Sequence, residues 1–198
     1  MLGLFGGTFN PIHNGHLFLA EEALHAFGLE GVAFVPNRLP PHKESPQVDA
    51  EARYRMLCAA VEGVPEFDVS RVELEREGRS YTIDTLESFP KQQELAFICG
   101  ADAFLYDWYR LSDVLERLSL LILANRAGFK FEIPPQLQAL PERLKSKIKL
   151  LEFPDIAISS SAIRRRVNQR RPYRFLIPEA VYRIISKSGL YAPASCES

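Results

Sequence analysis

Five short apolar runs recur along this chain, at Leu2 to Phe5, Val32 to Val35, Leu95 to Cys99, Ser119 to Ala124 and Ile148 to Phe153. Each run is continuous rather than alternating, as in strands covered on both faces, and the segments between them carry helical spacing. Asn14 stands where it can cap a helix whose apolar residues Leu17, Ala20, Leu24 and Phe27 recur at three and four, with Gly28 to end it. Asp49 can cap a second helix running to Val61. A weaker strand at Phe67 to Leu74 and a helix near Thr82 to Ser88 complete the middle, and Pro178 to Ser188 reads as a last helix closed by Gly189. Such repeated strand and helix units predict an α/β fold: a mostly parallel sheet, helices on both faces and a small C-terminal helical extension. No repeat or low-complexity tract interrupts the pattern, and Pro134-Pro135 and Pro172 read as loop punctuation. With 198 residues, 46% of them hydrophobic, the expectation is one domain over 1–198, its α/β core at 1–155 and the extension at 156–198.

Lys and Arg number 24 against 25 Asp and Glu, so no overall field marks a nucleic-acid or membrane binder. Cys58, Cys99 and Cys196 are odd in number, widely spaced and never in a CxxC pair, which fits a reducing compartment better than a disulfide framework. The first residues read as strand and glycine turn without a basic n-region, and no apolar run reaches the roughly 18 residues of a membrane span. A cytoplasmic protein is expected, with neither membrane nor nucleic acid as partner and with an oligomeric state the sequence leaves open.

Beyond the first apolar run comes GGTFNPIHNGH, residues 6 to 16. In a parallel sheet, ligands bind at the carboxyl ends of the strands, and this stretch sits at the end of the first. Gly6 and Gly7 lack Cβ atoms, so phosphate oxygens can approach their backbone N–H groups, and the following helix adds its positive end. A simple tight turn is the competing reading. GxxxxGK[ST] has no match, GLFGGT is not GxGxxG, and no acidic residue ends the second strand, which weighs against a P-loop hydrolase and an NAD dehydrogenase. His13 in the loop and His16 in the first helical turn can both face an anion, with Gly15 leaving space between them. Zinc is the rival guest, but there is no HExxH, no nearby acid and no cysteine partner. A buried, satisfied histidine is the other competing reading, and His25, alone on the polar face of its helix, reads as just such a bland residue. Two imidazoles over a phosphate donate hydrogen bonds that strengthen as negative charge develops in a transition state.

The stretch resembles the HxGH signature of the nucleotidyltransferase superfamily, a Rossmann-like fold in which two histidines bind the phosphates of a nucleoside triphosphate. Its second signature, ISSTxIR, appears as Ile158-Ser159-Ser160-Ser161-Ala162-Ile163-Arg164, with Ser161 in place of the usual Thr and the hydroxyl retained. PNRLPPHK at 36 to 43, SYTIDTL at 80 to 86, FICGAD at 97 to 102 and Trp108-Tyr109 resemble the bacterial nicotinate-nucleotide adenylyltransferase branch, so the likeness spans nearly the whole chain. It implies attack by the 5'-phosphate of nicotinate mononucleotide on the α-phosphorus of ATP, giving deamido-NAD and pyrophosphate. The nucleophile is already an anion and needs no general base. His13, His16, Lys43 and Arg164 are then the expected catalytic residues, acting by positioning and charge neutralisation together with Mg2+ held mainly by substrate phosphates. The resemblance places ATP against Gly6, Gly7, Thr8, Phe9, His16, Gly100, Asp102, Ile158, Ser159, Ser160, Ser161 and Arg164. It places the mononucleotide against Thr8, Asn10, Lys43, Tyr81, Thr82, Ile83, Asp102, Trp108 and Tyr109.

Physical reading of the same residues runs alongside. A serine among Ser159 to Ser161 can cap the helix that follows, leaving free N–H groups and Arg164 to face a triphosphate. Arg164, Arg165, Arg166, Arg170, Arg171 and Arg174 crowd into eleven residues without one acid, yet helical geometry sends them in several directions, so only Arg164 is expected at the site. Prolines stiffen the loop that delivers His42 and Lys43. Trp108 can stack on a pyridine ring or can serve as core, and backbone N–H groups near Thr82-Ile83 and Tyr109 are implied to receive the nicotinate carboxylate. Pantetheine-phosphate adenylyltransferase, and a nonenzymatic nucleotide or RNA-binding module, are the competing functions.

Overall fold

The computed structural model describes residues 1–39, 48–100, 103–104, 108–126, 134–154 and 156–193. Six strands, β1 (Leu2–Gly7), β2 (Gly31–Pro36), β3 (Phe67–Val69), β4 (Leu95–Gly100), β5 (Leu120–Arg126) and β6 (Ile148–Phe153), form one parallel sheet in the order β3-β2-β1-β4-β5-β6. This is a Rossmann-like arrangement, and the order reverses between β1 and β4.

Alternate residues of each central strand serve opposite faces. Phe5, Phe34, Ile98 and Ile122 face helices α1 (Asn14–Ala26), α2 (Ala50–Val61), α7 (Ser160–Asn168) and α8 (Glu179–Ser188), whose buried residues include Ala20, Met56, Ile163 and Val181. Leu4, Val35, Phe97 and Leu123 face α3 (Thr82–Glu87), α4 (Leu111–Arg117), α5 (Pro135–Gln138) and α6 (Glu142–Lys145) through Leu86, Leu115, Leu137 and Leu144. Both sheet faces are therefore covered, which is why the strands read as continuous apolar runs.

Three local expectations are corrected. The strand foreseen over Phe67 to Leu74 stops at Val69, because Leu74 and Glu75 donate back to the Arg71 carbonyl in a turn that carries Glu73 inward. Asn14 does not cap α1. His13 takes the N-cap position, and the Asn14 amide instead donates to the Phe175 carbonyl at 3.1 Å. Helices α4, α5 and α6 went unread, the last two being only four residues long. Elsewhere Asp49 caps α2 through a 2.6 Å bond from the Ala52 N–H, and Gly189, at φ 67°, ends α8.

The switch in strand order opens the site. Pairing of β1 with β4 ends at Phe5 and Ile98, whereas β1 follows β2 as far as Gly7 and Pro36 and β4 follows β5 to Gly100 and Ala124. Past Phe5 the two central strands part, leaving a crevice at their carboxyl ends.

Candidate active site

On one side of that crevice stand the two histidines. Residue 13 has extended backbone (φ −147°, ψ 166°), and its carbonyl accepts from the His16 N–H at 2.9 Å, starting α1. Three residues along the first turn bring the rings together: the imidazoles of His13 and His16 stack with centroids 3.6 Å apart and planes 19° from parallel. A Cβ at residue 15 would lie 3.2 Å from His13 Nδ1, so Gly15 makes room for this stack. The His13 backbone N–H donates to His16 Nδ1 at 3.3 Å. With Nδ1 accepting, the proton of a neutral His16 sits on Nε2, which becomes the donor. His16 is packed edge-on against Phe5 and Phe9, at 6.0 and 5.1 Å. Burial first, then the adjacent His13, hold its pKa well below the usual 6.5.

The glycine pair meets neighbours of its own. A Cβ on Gly6 would come within 2.6 Å of the Phe97 ring, and one on Gly7 within 2.8 Å of the Phe9 ring. The absence of a side chain at each glycine thus leaves room for a protein ring. Phe9 itself has φ 45°, in the left-handed region.

Helix α7, on the same sheet face as α1, is stitched to the same loop. Ser159 caps α7 by accepting from the Ala162 N–H at 3.2 Å, Ser160 Oγ donates to the Pro11 carbonyl at 2.8 Å, and Ile158 packs on the adjoining core. Arg164 donates from Nη1 to the Asn10 carbonyl at 2.7 Å and from Nη2 to Ser161 Oγ at 3.2 Å. Its neighbours turn elsewhere: Arg166 to the Pro172 carbonyl, Arg174 to Glu179, while Arg165, Arg170 and Arg171 are exposed. Thr8 Oγ1 accepts from Asn37 at 3.2 Å, and Asn10 is buried with its side-chain oxygen bonded to Tyr191.

The residues expected around the pyridine ring lie on the opposite face of the sheet. Tyr81 precedes α3, with Thr82 and Ile83 in its first turn, and the Tyr81 ring lies 4.7 Å from that of the exposed Tyr109. Trp108 is more embedded than its polar sequence neighbours suggested. Its indole stacks on Phe104 at 4.8 Å and 8°, meets the edge of Phe97 at 6.0 Å, and donates from Nε1 to the Ala103 carbonyl at 3.0 Å. It still lines a cleft of about 440 Å³ with Arg110, Gln136 and Leu140. Lys43 and Asp102, together with His42, fall outside the described residues.

Two buried polar residues, Arg53 and Glu73, and the half-buried Tyr191 were missed. Arg53 is 1% exposed and donates to the carbonyls of Thr8 at 2.8 Å and Asn37 at 2.7 Å, with longer bonds to Val48 and Arg38. Burial lowers its pKa. The available signal was a cation on the apolar stripe of α2, in step with Met56, Leu57 and Ala60. Glu73 accepts a 2.5 Å bond from Thr85, and burial raises its pKa despite the Thr85 and Ser80 hydroxyls. Tyr191 carries no periodic signal at all. Among the described residues no group of three or more His, Cys, Asp or Glu could hold a metal ion, and no helix is long and apolar enough to cross a membrane.

A doubly wound sheet with stacked histidines at its switch point is the frame of a nucleotide-transfer enzyme, and residues 4–166 match the family model described as cytidylyltransferase-like. The chain is 45% identical to a probable nicotinate-nucleotide adenylyltransferase of Moorella thermoacetica, over 97% of this chain and 92% of that protein. It is 39% identical to the nicotinate-nucleotide adenylyltransferase of Bacillus subtilis, over 96% and 97% of the two. The fold is also that of the Plasmodium falciparum nicotinic acid mononucleotide adenylyltransferase complexed with NaAD, with a TM-score of 0.73 at 18% identity, covering 96% of each chain. The chain belongs to the nicotinate-nucleotide adenylyltransferase family.

Proposed function

We propose that His13, His16 and Arg164 serve the reaction of this family, transfer of the adenylyl group of ATP to nicotinate mononucleotide. The observation that carries the assignment is the convergence of two stacked imidazoles and an arginine on loop 8–13, at the carboxyl end of β1. A mononucleotide phosphate oxygen attacks the α-phosphorus, the bond to the β-phosphate bridging oxygen breaks, and pyrophosphate leaves with the electron pair. No proton need be removed from the nucleophile, so the protein supplies placement and charge. His16 does this as a neutral Nε2–H donor, Arg164 as a fixed cation.

Around ATP we place Gly6, Gly7, Thr8, Phe9, Gly100 and the first turn of α7 from Ile158 to Ser161. Around the mononucleotide we place Thr8, Asn10, Tyr81, Thr82, Ile83, Trp108 and Tyr109. Lys43 would contribute as a further catalytic cation and to mononucleotide binding, and Asp102 would contact both nucleotides. The donors in the described part of the site are imidazole and guanidinium, which do not form a magnesium cage, so Mg2+ would arrive as the ATP complex. The proposed setting is the cytoplasm, and the partners are these small molecules.

The test is pyrophosphate release and dinucleotide formation from ATP with nicotinate mononucleotide, nicotinamide mononucleotide or pantetheine phosphate, with an RNA gel shift beside them. Two N–H donors suit a carboxylate and oppose a carboxamide, so nicotinate mononucleotide is expected to be favoured on the order of a hundredfold or more. Equal use of both mononucleotides would remove the nicotinate assignment. Turnover of pantetheine phosphate alone, or salt-sensitive RNA binding without turnover, would replace the whole reading.

A further inference from the structure

Three backbone carbonyls of loop 8–13 are held by side chains from outside it. Arg53 binds the Thr8 carbonyl, Arg164 that of Asn10 and Ser160 that of Pro11. One anchor remains, and it comes from beyond α8. Tyr191 donates its hydroxyl to Asn10 Oδ1 at 2.6 Å across 181 residues of sequence. Asn10 is thus gripped twice, through its side chain by Tyr191 and through its main chain by Arg164, three residues before His13.

The route by which Tyr191 arrives argues for more than filling space. Gly189 ends α8 at φ 67°, and Tyr191 follows at φ 64°, a left-handed conformation that the Cβ of a tyrosine disfavours. Phe9, beside Asn10, has φ 45°. Two non-glycine residues in this region therefore meet at the same hydrogen bond, Tyr191 as its donor and Phe9 next to its acceptor. Strain of this kind persists where surrounding structure over-determines it, and it gathers at sites that need fixed geometry. Burial raises the phenol pKa, with the positive charges of Arg164 and Arg53 opposing, so the hydroxyl keeps its proton and remains a donor at any physiological pH.

We infer that Tyr191 is a positioning residue for adenylyl transfer: acting through Asn10, it fixes loop 8–13 so that His13, His16 and Arg164 hold one arrangement before substrate binds. The inference rests on the assignment of those three residues to the reaction site. Tyr191 itself touches none of the reacting atoms.

Tyr191→Phe removes the hydroxyl and keeps the ring. The expected result is a fall in kcat of about five- to tenfold, the size of one hydrogen bond's net contribution, with KM for both substrates little changed. The drop should appear well below the melting temperature, where a merely structural role would leave kcat untouched. A double-mutant cycle with Asn10→Ala gives the decisive arm, because in that background Tyr191→Phe should have no further effect. His16→Ala runs in parallel. If His16→Ala is silent, the site assignment fails. If His16→Ala is impaired but Tyr191→Phe is silent, unfolds, or lowers kcat equally in both Asn10 backgrounds, the positioning role is overturned while the site stands.

Discussion

Replacing Arg53 by methionine isolates what a buried guanidinium does behind this site. The residue is 1% exposed, and none of the salt bridges among the described residues involves it, so its charge is met chiefly by backbone carbonyls. Two of its bonds are short, to Thr8 at the end of β1 and to Asn37 just past β2. Charge-assisted bonds contribute about 1.5–3 kcal/mol each, so losing both would cost about 3–6 kcal/mol. Against that, methionine fills part of the same space and relieves the cost of burying a cation, which is itself several kcal/mol. The net expectation is about 2–4 kcal/mol of lost stability. For a chain of this length that corresponds to a fall in Tm of roughly 5–15 °C, followed by circular dichroism on heating. Arg53→Lys sharpens the test. An ammonium is a compact charge, and it cannot span the carbonyls of Thr8 and Asn37, just past two neighbouring strands, as the planar fork does, so lysine should be no better than methionine. Wild-type stability in Arg53→Met, or restoration by lysine, would refute the reasoning.

Gly6→Ala should destabilise by about 1–3 kcal/mol through overpacking against Phe97, and Phe97→Leu should recover part of that loss in the double variant, read by urea unfolding. Arg164→Ala should impair ATP use strongly, whereas Arg170→Ala and Arg171→Ala should be nearly silent in the same assay; equal losses at all three would point to a general basic surface. His16→Ala should lower kcat on the order of a hundredfold, as for a lost oxyanion donor. Because His16 titrates well below 6.5 when folded, its contribution to stability is complete above pH 6.5 and declines as pH falls below it, by at most about 1.4 kcal/mol per pH unit. Glu73, with its raised pKa, works in the opposite direction, so the measurement is the flattening of the acid limb of Tm against pH in His16→Gln relative to wild type.

What could be read from the chain was whatever neighbours in sequence decide. The paired glycines, the histidines three apart and the serine cap of α7 are local, and each lies where the sequence puts it. β6 runs over the expected residues because a buried strand needs only an apolar stretch and room to pair. What escaped was decided at a distance. No periodic signal around residue 73 announces that Glu73 will turn inward, since its partners Ser80 and Thr85 lie seven and twelve residues on. Trp108 has Asp107 and Arg110 beside it, yet Phe97 and Phe104 determine its surroundings. Asn14 is the better capping residue, but stacking of the histidines and a bond to Phe175 set His13 at the helix start. Arg53 looks like a flaw in an apolar stripe until the ends of β1 and β2 are brought against it.

The bonds that close the site also fix when it can exist. Ser160 meets Pro11 across 149 residues, Arg164 meets Asn10 across 154 and Tyr191 meets Asn10 across 181. Residues 8–13 leave the ribosome long before any of these partners, and closing so long a loop is an entropic step that local helices and hairpins do not face. The sheet can grow outward from β1 and β2 as the chain lengthens, whereas the anchoring of loop 8–13 waits for residues 160–191. A nascent chain therefore acquires its scaffold well before its chemistry, and an incomplete one carries the histidines without the clamp that sets them.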